Sequence, residues 1–351
     1  MTALTPEALS AATAPYLAAL LETSDPAVAD ALLAAADTTR REHLGDGVQL
    51  RALIEFSNHC IRTCHYCGLR AANEAIPRYR MSLEEIVQAA LRASALGYQT
   101  VVLQSGEDPW YTCDRVSWLV REIKAQTGTA ITLCLGERPR DHYAAWREAG
   151  ADRYLLRIET SSSVLYHALH PGMSFGNRLR CLQTLKALGY QLGSGILIGL
   201  PGQTPLLLAK DLLFLRDLQP DMVGMGPFIS HPQTPLAHQP GGALDLTLRM
   251  MALARLLLPG CHLVATTALG SIDPLGRERG LQVGANVLMP NATPRQYRAD
   301  YEIYPNKICL DEEPEHCRGC IERRLNTIGR HVASGPGHAT RLEQQPCPTQ
   351  H

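Results

Sequence analysis

Short apolar runs alternate with longer amphipathic stretches along the chain from residue 50 onward. The short runs are rich in β-branched residues and have the length of buried strands. The amphipathic stretches repeat apolar residues three and four positions apart, which is the spacing of a helix that packs on one face. Eight strands are predicted, at 50–56, 100–104, 130–133, 153–158, 192–198, 222–225, 263–267 and 285–288.

The stretches between these strands carry helix signals. Ser82 precedes one of them and Glu85 follows three residues later, the pattern of a capping box. Helical spacing also runs through 139–149, 177–188, 205–218 and 244–258.

Strands that alternate with helices favour parallel pairing with right-handed crossovers. We therefore expect an α/β fold, a (β/α)₈ TIM-type barrel. An open doubly wound sheet is the alternative. The predicted units are an N-terminal helical cap (1–45), the barrel (46–300), a short barrel-closing segment with a second cysteine set (301–333) and a disordered tail (334–351).

Charge and hydropathy exclude some function classes. The net charge is −1, so no global field attracts nucleic acid or an anionic membrane. The longest apolar stretches are far too short to span a bilayer. We expect a cytoplasmic protein that binds neither nucleic acid nor membrane.

Cysteine placement carries the first chemical signal. Of eleven cysteines, Cys60, Cys64 and Cys67 form a CxxxCxxC loop directly after the first predicted strand. Thiolates are the usual ligands of iron–sulfur clusters, and most clusters take four. Three ligands leave one iron open to bind a substrate. A structural zinc site, which prefers four protein ligands, stays an alternative.

The loop resembles that of the radical S-adenosylmethionine (SAM) superfamily, which has an aromatic residue, here Tyr66, before the third cysteine. Ser105–Gly106–Glu107 resembles the Gly-Gly-Glu element that holds the SAM amino group, with serine in place of the first glycine. The string 195–202 resembles the element that packs against the adenine. The resemblance implies a [4Fe–4S] cluster, SAM and reductive cleavage of SAM to a 5′-deoxyadenosyl radical.

Longer strings resemble the HydE family of [FeFe]-hydrogenase maturases. They are 67–70, 104–108, 170–175, 199–204, 224–229, 266–269 and 284–291. The resemblance implies a role in assembling the hydrogenase H-cluster, acting on an iron-bound cysteine complex supplied by HydG. Expected partners are the maturases HydG and HydF and an electron donor such as ferredoxin or flavodoxin.

The same resemblance implies the site residues. Those expected to bind SAM or line its site are Tyr66, Gln104, Ser105, Gly106, Glu107, Glu159, Arg178, Met289 and Tyr301. Those expected to contact substrate are Arg157, Thr132, Thr266, Thr267 and Met222. Arginine suits a carboxylate because its fork binds in a bidentate manner.

A second set, Cys309, Cys317 and Cys320, resembles the accessory cluster site of some HydE members. It is expected at the surface near the barrel mouth, in an electronegative setting made by Asp311, Glu312, Glu313 and Glu315. Zinc or free thiols are alternatives there. Two other functions stay open: a methylornithine synthase that rearranges lysine, and a metal-binding carrier without radical chemistry.

Overall fold

The computed structural model describes residues 4–343. Its strands follow the predicted order, with two short additional strands that are neighbours at one end of the sheet. They are β1 (Gly47–Leu50), β2 (Ala52–Ser57), β3 (Thr100–Ser105), β4 (Ala130–Cys134), β5 (Arg153–Leu155), β6 (Gln191–Ile198), β7 (Met222–Pro227), β8 (His262–Ala265), β9 (Val287–Leu288) and β10 (His331–Val332).

The helices lie between these strands and before the first. They are α1 (Pro6–Ser10), α2 (Ala14–Glu22), α3 (Pro26–Leu44), α4 (Leu83–Ala95), α5 (Cys113–Thr127), α6 (Arg140–Glu148), α7 (Ser163–Leu169), α8 (Phe175–Ala187), α9 (Pro205–Leu218), α10 (Leu244–Leu257), α11 (Thr267–Ile272), α12 (Gly276–Gln282), α13 (Arg295–Arg298), α14 (Pro314–Thr327) and α15 (Thr340–Glu343). None of them, within residues 4–343, is long and apolar enough to cross a membrane.

All strand pairs of the sheet are parallel, and the sheet closes on itself. Closure occurs because β1 and β2 form one run of extended chain that only Arg51 interrupts. β1 pairs with β9, through Gln49 and Val287, while β2 pairs with β3, through Ala52 and Val101. The predicted (β/α)₈ TIM-type barrel is confirmed, and the open sheet is not what forms.

Helices cover the outside of the barrel. The predicted capping box is present at α4: the Glu85 amide donates to Ser82 Oγ, and the Ser82 amide donates to Glu85 Oε2. α2 packs on α9 and α3 on α10. The N-terminal helices therefore cover one flank of the barrel, which leaves the mouth, at the carboxyl ends of the strands, to the loops.

The floor of the barrel, at the amino ends of the strands, is closed by a segment predicted to be loosely ordered. Arg153 Nη2 donates to the carbonyl oxygens of Pro336 and Gly337, both at 2.9 Å. Arg51 Nη2 donates to Gly337 O at 3.1 Å. Buried guanidinium groups need acceptors, and these carbonyls supply them, which is why the segment is ordered. Residues 344–351 lie outside the described residues.

Above this floor the barrel interior is apolar. Leu155, Met222, Val264 and Val287 pack together, with Cys134 and Met289 against them on the side of the mouth. Gly193 faces the same layer, since a Cβ there would lie 3.0 Å from Leu155 Cδ1. The layer separates the floor from the strand ends, where polar side chains collect.

Replacement of Arg153 by leucine tests the floor. The change removes the donors to the carbonyl oxygens of Pro336 and Gly337, so we expect the free energy of unfolding to fall by about 2 kcal/mol. Urea unfolding followed by circular dichroism measures it. Arg121 is exposed on α5, and Arg121→Leu should change stability by less than about 0.5 kcal/mol. Equal effects of the two changes would contradict the assigned role of the floor.

Candidate active site

The three-cysteine loop follows β2 and lies at the mouth of the barrel. Cys60, Cys64 and Cys67 carry free thiols that are each partly buried. Burial, with a smaller contribution from the neighbouring Cys60 thiol, raises the pKa of Cys64 to about 12. Thiols held this way stay protonated until a metal binds, because coordination requires the thiolate and displaces the proton.

A close approach of two strand ends fixes the loop. The Ile61 amide donates to Glu107 O at 3.0 Å, and the Gly106 amide donates to Ser57 O at 3.0 Å. A Cβ on Gly106 would lie 2.2 Å from His59 O and 2.8 Å from Cys60 Cβ. Only glycine allows this approach, so Gly106 sets the position of the first cysteine.

A network of buried charges lies beside the loop. Glu107 accepts from Arg62 of the loop and from the Glu137 amide, the latter at 2.9 Å. Glu137 accepts in turn from Arg178 Nε at 2.7 Å and Asn177 Nδ2 at 2.7 Å. Sequence reasoning identified Glu107 and Arg178 but missed Arg62 and Glu137, whose partners are distant in the chain.

Arg178 points inwards from α8. It is buried, whereas Arg180, two residues on, is exposed. Its guanidinium lies 5.8 Å from the ring centre of Tyr166 and also donates to Arg157 O. A buried arginine that faces the barrel mouth is placed to hold an anionic group.

Tyr66 is anchored by His170, for which no role was predicted. The Tyr66 hydroxyl lies 2.8 Å from His170 Nε2, and His170 Nδ1 lies 2.8 Å from Tyr166 O. Since a carbonyl only accepts, Nδ1 carries the proton and Nε2 accepts from Tyr66. Burial lowers the pKa of His170 to about 4, which keeps the ring neutral and fixes Tyr66.

The exposure of side chains at the strand ends indicates a central cavity between them. At six strands a residue at the carboxyl end is partly exposed although its neighbours on the strand are buried, which is the pattern of side chains around a hollow. The six are Gln104, Cys134, Arg157, Leu197, Thr266 and Met289. Cys134 was not among the predicted site residues.

Several polar atoms in this region lack hydrogen-bond partners within residues 4–343. They include Thr132 Oγ1, Arg157 Nε and Thr266 Oγ1. Arg157 Nη2 lies 3.0 Å from Glu159 Oε2, and Glu159 adopts a left-handed backbone with φ 65°. Buried polar atoms normally have partners, and strained residues gather at functional sites. The donor and acceptor set therefore fits a bound ligand with charged groups.

Of the remaining predicted site residues, Tyr301 lies at the mouth, whereas Met222 and Thr267 lie elsewhere. Tyr301 is buried, and its side chain lies close to that of Gln104. Met222 lies instead at the amino end of β7, where Arg51 Nη1 donates to its sulfur at 2.7 Å. Thr267 begins α11 and lines a crevice on the outer side of the mouth. The structure thus places Met222 towards the floor, below the cavity.

The second cysteine set lines a cavity of ≈ 290 Å³. Cys317 and Cys320 lie on α14, and Cys309 precedes it with φ 63°. A narrow crevice that includes Thr267 and Met289 adjoins this cavity, so the set lies near the mouth, as expected.

The electronegative setting expected for this set is not what forms. Glu313 and Glu315 pair with Arg92 at 3.1 and 2.8 Å, and Asp311 pairs with Arg295 at 3.5 Å. Two arginines, at 277 and 324, line the cavity itself. These three acids face outwards and are neutralised by surface arginines.

Neither cysteine set has the geometry of a single-ion site. Within residues 4–343 no three His, Cys, Asp or Glu side chains converge so as to hold one metal ion. A cluster does not require such convergence, since each of its irons takes its own thiolate.

Comparison with known proteins identifies the family to which the chain belongs. The model of the Radical SAM superfamily matches residues 54–215. The "[FeFe] hydrogenase maturase subunit HydE" of Thermotoga maritima is 53% identical over 310 residues, which cover 88% of this chain and 89% of that protein. The chain belongs to the HydE family of radical SAM enzymes. The resemblance seen in the sequence is confirmed.

Other relatives are more distant from this HydE family member. The 3-methylornithine synthase of Methanosarcina acetivorans is 31% identical over 90% of this chain and 89% of its own length. The crystal structure of methylornithine synthase (PylB) superposes with a TM-score of 0.82 at 28% identity, covering 94% of this chain and 96% of that one. The barrel is thus shared, whereas sequence identity favours HydE.

Radical SAM enzymes use a [4Fe–4S] cluster and SAM, and so does this chain. Its residues fit both groups. Three grouped thiols stand at the mouth, and unpartnered buried polar atoms surround the cavity beneath them. When bound, the cluster supplies the electron that cleaves SAM.

Gly106→Ala tests the position of the loop. The added methyl group would displace Cys60, so we expect the rate of 5′-deoxyadenosine formation to fall by about 100-fold, with less iron bound after reconstitution. Chromatography of the nucleoside and iron analysis measure both quantities. Gly176→Ala is the control, because a Cβ there meets no atom closer than 3.7 Å. Normal activity of the Gly106 variant would refute the steric argument.

Proposed function

We propose that this chain is an [FeFe]-hydrogenase maturase of the HydE type, which acts on an iron-bound cysteine complex supplied by HydG. The observation that carries the proposal is 53% identity to HydE of Thermotoga maritima along 89% of that protein. The assignment of substrate and of HydG as its source rests on this relationship alone.

Cys60, Cys64 and Cys67 would hold the [4Fe–4S] cluster in this proposal, with one iron left to SAM. Ser105, Gly106 and Glu107 would bind the SAM amino group, and Tyr66 and Gln104 would lie alongside. Glu159 and Arg178 would hold the ribose and the carboxylate. Support comes from Arg178, whose buried guanidinium faces the mouth and would share its charge between Glu137 and a ligand carboxylate.

Deeper in the cavity, Arg157, Thr132 and Thr266 would hold an anionic part of the substrate, with Tyr301 and Met289 as the inner wall. Met222, expected in that wall, lies in the apolar layer below it, and Thr267 lines the crevice beside the mouth. Within residues 4–343, Arg157, Thr132 and Thr266 each carry a buried atom that lacks a hydrogen-bond partner. A carboxylate bound there would accept from the hydroxyl groups and the guanidinium, removing the desolvation penalty of leaving them unpaired.

Cys309, Cys317 and Cys320 would hold a second iron–sulfur cluster, which is not needed to cleave SAM. An electron donor such as ferredoxin or flavodoxin would reduce the enzyme, and HydG and HydF would be its maturation partners. The shared cavity of the three cysteines supports the second cluster.

Two single changes test the roles of the cysteine sets. Cys64→Ala should abolish reductive SAM cleavage, because it removes a ligand of the cluster that binds SAM. Cys317→Ala should leave most of it. Release of 5′-deoxyadenosine under dithionite measures the effect, and equal losses would overturn the ranking of the sites.

Substrate identity is tested with three incubations of reconstituted enzyme, SAM and reductant: with the HydG product, with lysine, and without addition. Consumption or adenosylation of the iron complex supports the proposal. Formation of methylornithine from lysine would replace it with the mutase activity of the 31% identical relative. A colourless zinc protein that never yields 5′-deoxyadenosine would instead indicate a carrier.

A further inference from the structure

The cavity of the second cysteine set contains one acidic side chain. Glu312 lines it together with the three cysteines, Arg277 and Arg324. Residue 312 is exposed to solvent. Its side chain lies close to the Cys309 thiol.

Glu312 differs from the other acids near it in sequence. Asp311, Glu313 and Glu315 each pair with an arginine on the outer surface. Glu312 forms no ion pair in the part of the chain that the structure describes (4–343). The one acid without an arginine partner is therefore the one beside the thiols.

The backbone fixes this arrangement. Arg298 is buried, and its Nη1 donates to the carbonyl oxygens of both Cys309 and Glu312. Cys309 adopts the left-handed conformation, with φ 63°, which strains a residue other than glycine. Pro314 then starts α14. The loop between them is held with the Cys309 and Glu312 side chains at the same cavity.

The positive charge of the two arginines that line the cavity also favours a fourth, anionic ligand there. Arg324 is paired with Glu278 at 2.9 Å, but Arg277 forms no ion pair among the described residues. Arg277 is partly buried, and a positive charge there favours anionic groups in the same cavity. Bound thiolates and a carboxylate would be such groups.

Most clusters have four ligands, and three cysteines supply only three. Carboxylate oxygen is an established protein ligand of iron. Building on the second cluster of the proposed function, we propose that Glu312 is the fourth protein ligand of the cluster held by Cys309, Cys317 and Cys320. Such a cluster has no iron open to an outside molecule. The two sites of the enzyme then differ in kind, since the first leaves an iron for SAM and the second is closed.

Access of a small ligand to iron tests this proposal. Cyanide is added to dithionite-reduced protein in which Cys60, Cys64 and Cys67 are alanine, and the second cluster is followed by electron paramagnetic resonance. We expect cyanide to leave this spectrum unchanged. In the same background Glu312→Ala should give a cluster whose spectrum shifts with cyanide and whose iron is lost to a chelator on the order of 10–100-fold faster.

Two further variants separate ligation from other effects. Glu313→Ala removes the same charge from the outward-facing neighbour, so it should behave as its parent. Glu312→Cys should restore a closed cluster that ignores cyanide. A parent spectrum that shifts with cyanide as much as that of Glu312→Ala would overturn the proposal.

The same measurements on otherwise unchanged protein saturated with SAM, which occupies the first cluster, remove dependence on the triple background. Absence of any second cluster in both preparations would refute the second cluster of the proposed function, and the role of Glu312 with it. A second cluster that binds cyanide would refute the role of Glu312 alone. Neither result bears on SAM cleavage at the first site.

Discussion

Closure of the sheet through one extended segment determines where every functional side chain lies. β1 and β2 are consecutive, so the same stretch of backbone pairs with β9 on one side and β3 on the other. Residues at matching heights on the eight strands then face a common interior. The cysteine loop follows this segment directly, and it therefore stands over the cavity to which six strands contribute a side chain.

Much of the barrel could be predicted because its signals are local. The apolar run at 100–104 and the capping box at Ser82 each depend on a few adjacent residues, and both formed as expected. The α14 helix was missed because Pro314, Gly319 and many charged residues weaken its apolar periodicity. The floor segment was missed because its order comes from Arg51 and Arg153, which are remote in sequence.

The residues of the candidate site also fall into those that local sequence predicts and those that depend on distant contacts. Spacing alone predicts the ligand cysteines Cys60, Cys64 and Cys67, and the motif around it predicts Glu107. Glu137 and His170 were missed because their importance arises only from contacts with Arg178 and Tyr66 across the mouth. The acids at 311, 313 and 315 show the opposite error. Their proximity in sequence suggested a shared negative field at the second cysteine set, but pairing with surface arginines removes it.

The floor segment has a consequence for the order of assembly. Residues 336–339 follow all eight barrel strands in the sequence, so they leave the ribosome after the strands they seal. Until then the guanidinium groups of Arg51 and Arg153 lack their backbone carbonyl partners in this segment, and within 4–343 neither forms an ion pair with a carboxylate. The barrel is therefore completed from the end opposite the cysteine loop, and a nascent chain that stalls before Pro336 would expose a positively charged opening in its floor.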